Sequence, residues 1–224
     1  RRKCEEFITA GRVTVNGDVA DELGTRVNPT TDIIHVDGVR IAQTSGHIAV
    51  ALNKPRGVVT TMTDEHGREC VGDLVAEFEQ RLFHVGRLDA ETEGLLLLTN
   101  DGELSQRLGH PSHGIVKTYL ARVSGRVSKE DIARITDGFP IEGTPVAVTD
   151  CKIYESGKNQ TVVQISIHEG RNRILRKLFD ELGYPVLDLV RTKIGPISLG
   201  SLRSGHLRIL ENKELGKLYS SVGL

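Results

Sequence analysis

Asp89 is the residue on which chemistry would turn. It stands in the polar segment Gly86-Arg87-Leu88-Asp89-Ala90-Glu91-Thr92, just before the apolar run Gly94-Leu95-Leu96-Leu97-Leu98. A run of that length, closed by Thr99-Asn100-Asp101-Gly102, reads as a strand buried on both faces. Asp89 then lies at the mouth of a buried sheet, where a carboxylate is partly desolvated and needs an arginine nearby to stay ionised. That is the setting of a catalytic carboxylate. On position alone, an aspartate capping a loop turn is the commoner explanation. Basic residues cluster further on. Arg171, Arg173, Arg176, Lys177, Arg191, Lys193, Arg203 and Arg208 face only Asp180, Glu181 and Asp188 across that stretch, an excess of 8 − 3 = 5 in a chain of net charge −1. Such a patch suits phosphates, although a basic helix face is more often simply solvated. His110 and His113, three apart and without a third ligand nearby, point only weakly to a metal. Cys4, Cys70 and Cys151 are an odd, widely spaced set without a CxxC pair, which argues against a disulfide framework or a zinc site and fits a reducing cytoplasm.

A chain of 224 residues has room for one large domain, or a large and a small one, and its composition is that of an ordinary globular protein. No segment approaches the roughly 20 apolar residues that span a bilayer, so no membrane partner is expected. The chain begins at Arg1 rather than at a methionine and reads as a fragment. Residues 1–44 read as a small module: a short basic helix stopped by Gly11, a hairpin over 13–19 carrying Asn16-Gly17, and a strand near 33–38. The polar stretch 43–47 marks a domain boundary. Beyond it, strands are expected at 48–52, 94–98, 117–123, 146–154, 161–168, 186–195 and 205–210. Helices are expected near 71–78, 103–108, 128–138, 171–183 and 213–219. Ser128 with Asp131 reads as a capping box, and Asn212 as the cap of the last helix. In the 171–183 helix, Ile174, Leu175, Leu178, Phe179 and Leu182 form the core stripe, which places Arg173, Arg176 and Lys177 on the other side.

The stretch GRLDAETEGLLLLTNDG resembles the central motif of pseudouridine synthases of the RsuA/RluB group, which modify ribosomal RNA. Further resemblances run along the chain. Residues 53–61 are similar to a first motif that supports the active-site floor. Lys117-Thr118-Tyr119 resembles a second motif, and EGRNRILRK resembles an rRNA-binding helix. Leu189-Val190-Arg191 followed by Ile194-Gly195 resembles a third motif. Residues 1–44 resemble an S4 RNA-binding domain lacking a preceding helix.

The resemblance implies an α+β pseudouridine synthase fold with a mixed, largely antiparallel central sheet and flanking helices over 48–224, beside a small S4-like α/β module at 1–44. It implies Asp89 as nucleophile on a flipped-out uridine, Tyr119 stacking on the uracil, Arg191 paired with Asp89, and Leu189 lining the pocket. Arg87, Arg171, Asn172, Arg173, Arg176, Lys177, Arg1, Arg2 and Lys3 are expected to contact the RNA. The expected partner is ribosomal RNA, more specifically of the large subunit, with a cytoplasmic monomer needing neither metal nor cofactor. The alternatives are a non-catalytic RNA-binding or ribosome-assembly protein, and a synthase acting on small-subunit rRNA or on tRNA.

Overall fold

The structure is a computed structural model that describes residues 2–28, 31–41 and 46–224. The chain divides into two compact units, Arg1–Gly46 and His47–Leu224.

In the first unit, helix α1 (Arg2–Thr9) precedes four short strands, β1 (Val13–Val15), β2 (Asp18–Val19), β3 (Ile34–Val36) and β4 (Val39–Arg40), in the order β2-β1-β3-β4. Asn16-Gly17 and Asp37-Gly38 make its two-residue hairpin turns, with φ of 53° and 99°, and of 53° and 76°. Both residues of each pair have positive φ, the geometry whose twist suits a two-residue hairpin. Arg12 packs over the Phe7 ring, 4.3 Å from its centroid, and pairs with Asp37. Arg2 and Lys3 are exposed on α1, while Arg1 lies outside the described residues.

The second unit is built on one nine-stranded sheet. Its elements in chain order are β5 (Ala49–Lys54), α2 (Val71–Leu74), β6 (Phe83–Val85), β7 (Glu93–Thr99), α3 (Gly102–Gly109), β8 (Lys117–Ser124), α4 (Lys129–Thr136), β9 (Pro140–Ile141), β10 (Thr144–Pro145), β11 (Val148–Ser156), β12 (Gln160–Ile167), α5 (Ile174–Glu181), β13 (Val186–Ile194), β14 (Ile197–Ser198), β15 (Leu207–Ile209) and α6 (Asn212–Ser220). The sheet order is β11-β12-β8-β13-β7-β5-β15, with β6 added to β7 and β14 to β13. Every pairing is antiparallel except β13 with β7. β9 and β10 form a separate hairpin.

The leucine run explains the layering. Leu96 and Leu98 point into a core completed by Val71 of α2, Ile135 of α4, and Ile174, Leu175, Leu178 and Phe179 of α5. Leu95 and Leu97 point the other way, into a second core closed by Leu104 and Leu108 of α3 and Leu218 of α6. Successive residues of a strand face opposite sides, so a continuous run is what a strand covered on both faces requires.

Local signals are met in part. The Ser128 hydroxyl accepts from the Asp131 amide at 3.0 Å and donates to its carboxylate at 2.7 Å. The last helix is capped by Glu211, not Asn212: the Glu214 carboxylate accepts from the Glu211 amide at 3.2 Å and is held by Arg208. Helix α5 begins at Ile174 rather than near 171, because Arg173 sits in the left-handed region, φ 53°, ψ 26°. The β6 strand and the β9–β10 hairpin are too short to show as a periodicity.

Candidate active site

The segment between β6 and β7 carries Asp89, and its backbone is held at five successive carbonyls, Arg87 to Glu91. Arg191 Nη1 donates to the oxygen of Arg87 at 3.5 Å. Thr60 Oγ1 donates to that of Leu88 at 2.6 Å and accepts the Leu88 amide at 3.2 Å. The Thr92 amide donates to the oxygen of Asp89 itself at 3.0 Å, and the Gly57 amide to that of Ala90 at 2.7 Å, where Lys54 Nζ adds a bond at 3.5 Å. Arg176 Nη2 donates to the oxygen of Glu91 at 3.1 Å. Three of these donors are cationic, and they come from β5, α5 and β13. The Asp89 carboxylate is half-buried and accepts no hydrogen bond and closes no ion pair among the described residues. A fixed loop surrounded by positive charge, presenting one unengaged carboxylate, is the arrangement a nucleophile needs.

The strands explain the convergence. β7 and β13 run parallel with Arg191 opposite Gly94, and Gly94 has φ of 104°. A Cβ on Gly94 would sit 2.7 Å from the Arg191 amide nitrogen and nearer still to its carbonyl oxygen. Only glycine lets β13 approach closely enough to hand Arg191 to this segment. β8 then sets Tyr119 directly opposite Arg191 and Ala121 opposite Leu189. Tyr119 is 8% exposed and Leu189 6%, and both belong to one apolar cluster with Leu88.

The expected ion pair between Arg191 and Asp89 is not formed. Arg191 is 2% exposed and spends its Nε on the oxygen of Leu95 at 2.7 Å, while its Nη2 is buried without a partner. The reason is competition: the backbone oxygens of Leu95 and Arg87 take its donors.

The expected RNA-binding face of α5 is likewise different. Arg176 is 8% exposed rather than outward-facing, and besides Glu91 it reaches Thr92 Oγ1 and the Val186 oxygen, both at 3.5 Å. Its buried Nε has no hydrogen-bond partner. Arg171 is bound to Glu169 and to the oxygens of Ile141, Thr144 and Pro145, so it braces the β9–β10 hairpin. Arg173 pairs with Glu91 at 3.0 Å and Lys177 with Glu142 at 2.6 Å. Asn172 is exposed in the turn before the helix, and Arg87 is exposed without an ion-pair partner among the described residues.

Lys54, in the 53–61 stretch expected to support the active-site floor, is a buried cation not singled out from the sequence. It is fully buried, and its Nζ donates to the oxygens of Pro55 and Val58, each at 2.8 Å. Burial pushes its pKa down from 10.5 to about 8; Glu93 and Asp89 pull the other way, and Arg191 adds to the fall. The signal was present, since Lys54 is in phase with the inward-facing Val50 and Leu52. Lys117 is also shifted down, by burial first and by Arg191 second. Among the described residues, no group of three or more His, Cys, Asp or Glu side chains is placed to hold a metal ion, and no helix is long and apolar enough to cross a membrane.

Residues 48–181, which contain the Asp89 segment, Tyr119 and Arg176, match the model of the RNA pseudouridylate synthase family. The chain belongs to this family. It is thereby an enzyme that converts uridine to pseudouridine in RNA. Residues 1–33 match the S4 domain. Over 227 residues the chain is 48% identical to an uncharacterised RNA pseudouridine synthase of Mycobacterium tuberculosis, covering 100% of this chain and 89% of that one. It is 39% identical over 220 residues to the ribosomal large subunit pseudouridine synthase B of Bacillus subtilis, covering 97% and 89%. A crystal structure of a pseudouridylate synthase superposes with a TM-score of 0.68 at 28% identity, over 97% of this chain and 93% of that one.

Proposed function

We propose that the chain isomerises a specific uridine of large-subunit ribosomal RNA in the cytoplasm, acting as a monomer with Asp89 as the nucleophile. The observation that carries the assignment of Asp89 is the segment fixed at five successive carbonyls, Arg87 to Glu91, with its carboxylate left free. The Bacillus relative, named for the large subunit, supports the RNA class.

A uridine within a structured RNA hides its glycosidic bond and must be turned out of the stack, at a cost of a few kcal/mol. Tyr119 stacks on the extruded uracil and Leu189 closes the apolar side of the pocket. Arg87 contacts the RNA at its rim, and the exposed Arg2 and Lys3 of the first unit contact it elsewhere. The Asp89 carboxylate attacks C1′ and the C1′–N1 bond breaks; the base turns, its C5 attacks C1′, and the bond from C1′ to Asp89 breaks to free the carboxylate. The C5 proton then leaves and N1 ends protonated, so atoms balance without a redox change. Arg176 Nε, which makes no hydrogen bond and lies 4.0 Å from the Glu91 carboxylate, and Arg191 Nη2 leave two buried cationic donors beside the segment without a hydrogen bond. Arg176 joins Arg191 in fixing the backbone of the nucleophile's segment.

The test is Asp89→Asn on an rRNA transcript tritiated at C5. Tritium release should vanish while RNA affinity and thermal stability stay near wild type. Turnover retained by the variant would refute the assignment. Pseudouridine maps of rRNA from cells with and without the gene identify the target, and an unchanged large-subunit map would refute that part.

A further inference from the structure

A second cationic feature borders the Asp89 segment. Asp188, the residue before Leu189, is held by two arginines at once. Arg122 of β8 is its direct cross-strand neighbour and pairs with its Oδ2. Arg56, in the loop after β5, reaches its Oδ1 at 3.0 Å from 132 residues away in the chain. Arg122 is further fixed by Gln160 Oε1 at 3.0 Å. Arg56 adjoins Gly57, whose amide holds the Ala90 oxygen, so the backbone beside Arg56 lies against the nucleophile's own loop.

A sheet needs only the Arg122–Asp188 pair, which already satisfies the cross-strand rule. Bringing a second guanidinium to a paired carboxylate sets two like charges side by side and leaves one unit of positive charge uncompensated. Both arginines are about half exposed. The Nε and Nη2 of Arg56 and the Nε of Arg122 make no hydrogen bond among the described residues. A second anion relieves the repulsion and meets donors already oriented by Asp188 and Gln160, which lowers the ordering cost of binding. The basic residues in and just before α5 offer less, because Arg171 and Lys177 each have an acidic partner and Arg176 is buried.

We infer that Arg56 and Arg122, held by Asp188, grip a backbone phosphate of the RNA next to the flipped uridine. The inference rests on Asp89 being the reaction centre. In this arrangement Asp188 is a positioning residue that touches no substrate.

The test uses the full chain carrying Arg56→Gln or Arg122→Gln, and the substrate transcript as probe. Binding is measured in an Asp89→Asn background, so that it does not depend on turnover. Each change should lower the slope of log affinity against log salt by about 1 and weaken binding about fivefold at ordinary salt. In the catalytically intact chain, KM should rise and the saturating single-turnover rate should hold. Once the target is mapped, a methylphosphonate beside that uridine should weaken wild type and add nothing to Arg56→Gln. A lower melting temperature with unchanged salt slope and KM would overturn the grip and leave an ion-pair cluster serving the fold. So would a methylphosphonate effect that adds fully to the mutation. If wild type forms no pseudouridine while Arg56→Gln still flattens the slope, the catalytic reading falls and the anion site stands.

Discussion

Lys54→Met separates the electrostatics of the site from its packing. The wild-type ammonium is buried, with a pKa of about 8 against the ordinary 10.5. Holding it charged in the fold therefore costs about 3 kcal/mol. The sign follows from proton counts: between those two values the unfolded chain binds more protons than the folded one, so stability rises with pH. The cost is fully present below the folded value and disappears as pH climbs towards the unfolded one. For this group alone the gain between pH 7 and pH 9 is on the order of 1 kcal/mol. Methionine has similar length and no charge, so the variant loses that gain. It also strips the oxygens of Pro55 and Val58 of their donor, at roughly 1–3 kcal/mol each, whereas the Ala90 oxygen keeps the Gly57 amide. The loss and the relieved burial oppose each other at pH 7, so one stability value there decides little. The informative quantity is the wild-type minus variant difference from urea unfolding at half-unit steps from pH 7 to 9. It should move in favour of wild type by roughly 1–2 kcal/mol. Two parallel profiles would mean that Lys54 stays as fully protonated in the fold as in the unfolded chain across this range, so that burial does not lower its pKa.

Three further outcomes are expected. Gly94→Ala should fold poorly or not at all, because the added methyl meets the Arg191 backbone at a positive-φ site; soluble yield and melting temperature report it. Arg173→Ala with Lys177→Ala should cost no more than about 1 kcal/mol of stability, since both are half-exposed ion pairs; the salt slope of RNA binding should change by less than the two full contacts an open basic face would give. Arg176→Met should cut the single-turnover rate at least about a hundredfold, with partial recovery in Arg176→Lys, which keeps the charge but not the planar fork; equal loss in both at every pH would assign Arg176 to backbone support alone.

The local grammar of the chain was legible without coordinates. The leucine run could only be a strand covered on both sides. Asn16-Gly17 could only be a tight hairpin. Ser128 with Asp131 announced a helix start, and the GRLD wording carried the family and the candidate nucleophile. These signals depend on neighbours in the chain, through backbone geometry, alternation and short-range hydrogen bonds. What only the tertiary structure decided was which charge meets which. Arg176 was assigned to the solvent face because its neighbours made the apolar stripe, yet the Asp89 segment and the start of β13 cover that side and take its guanidinium at Glu91, Thr92 and Val186. Lys54 looked like the end of a strand and proved to be a buried cation beneath the nucleophile's loop. Arg191 looked like the partner of Asp89, but the backbone oxygens of Leu95 and Arg87 take its donors. A charged side chain is long, and where its head lies depends on strand register and on partners tens of residues away, which no local pattern records.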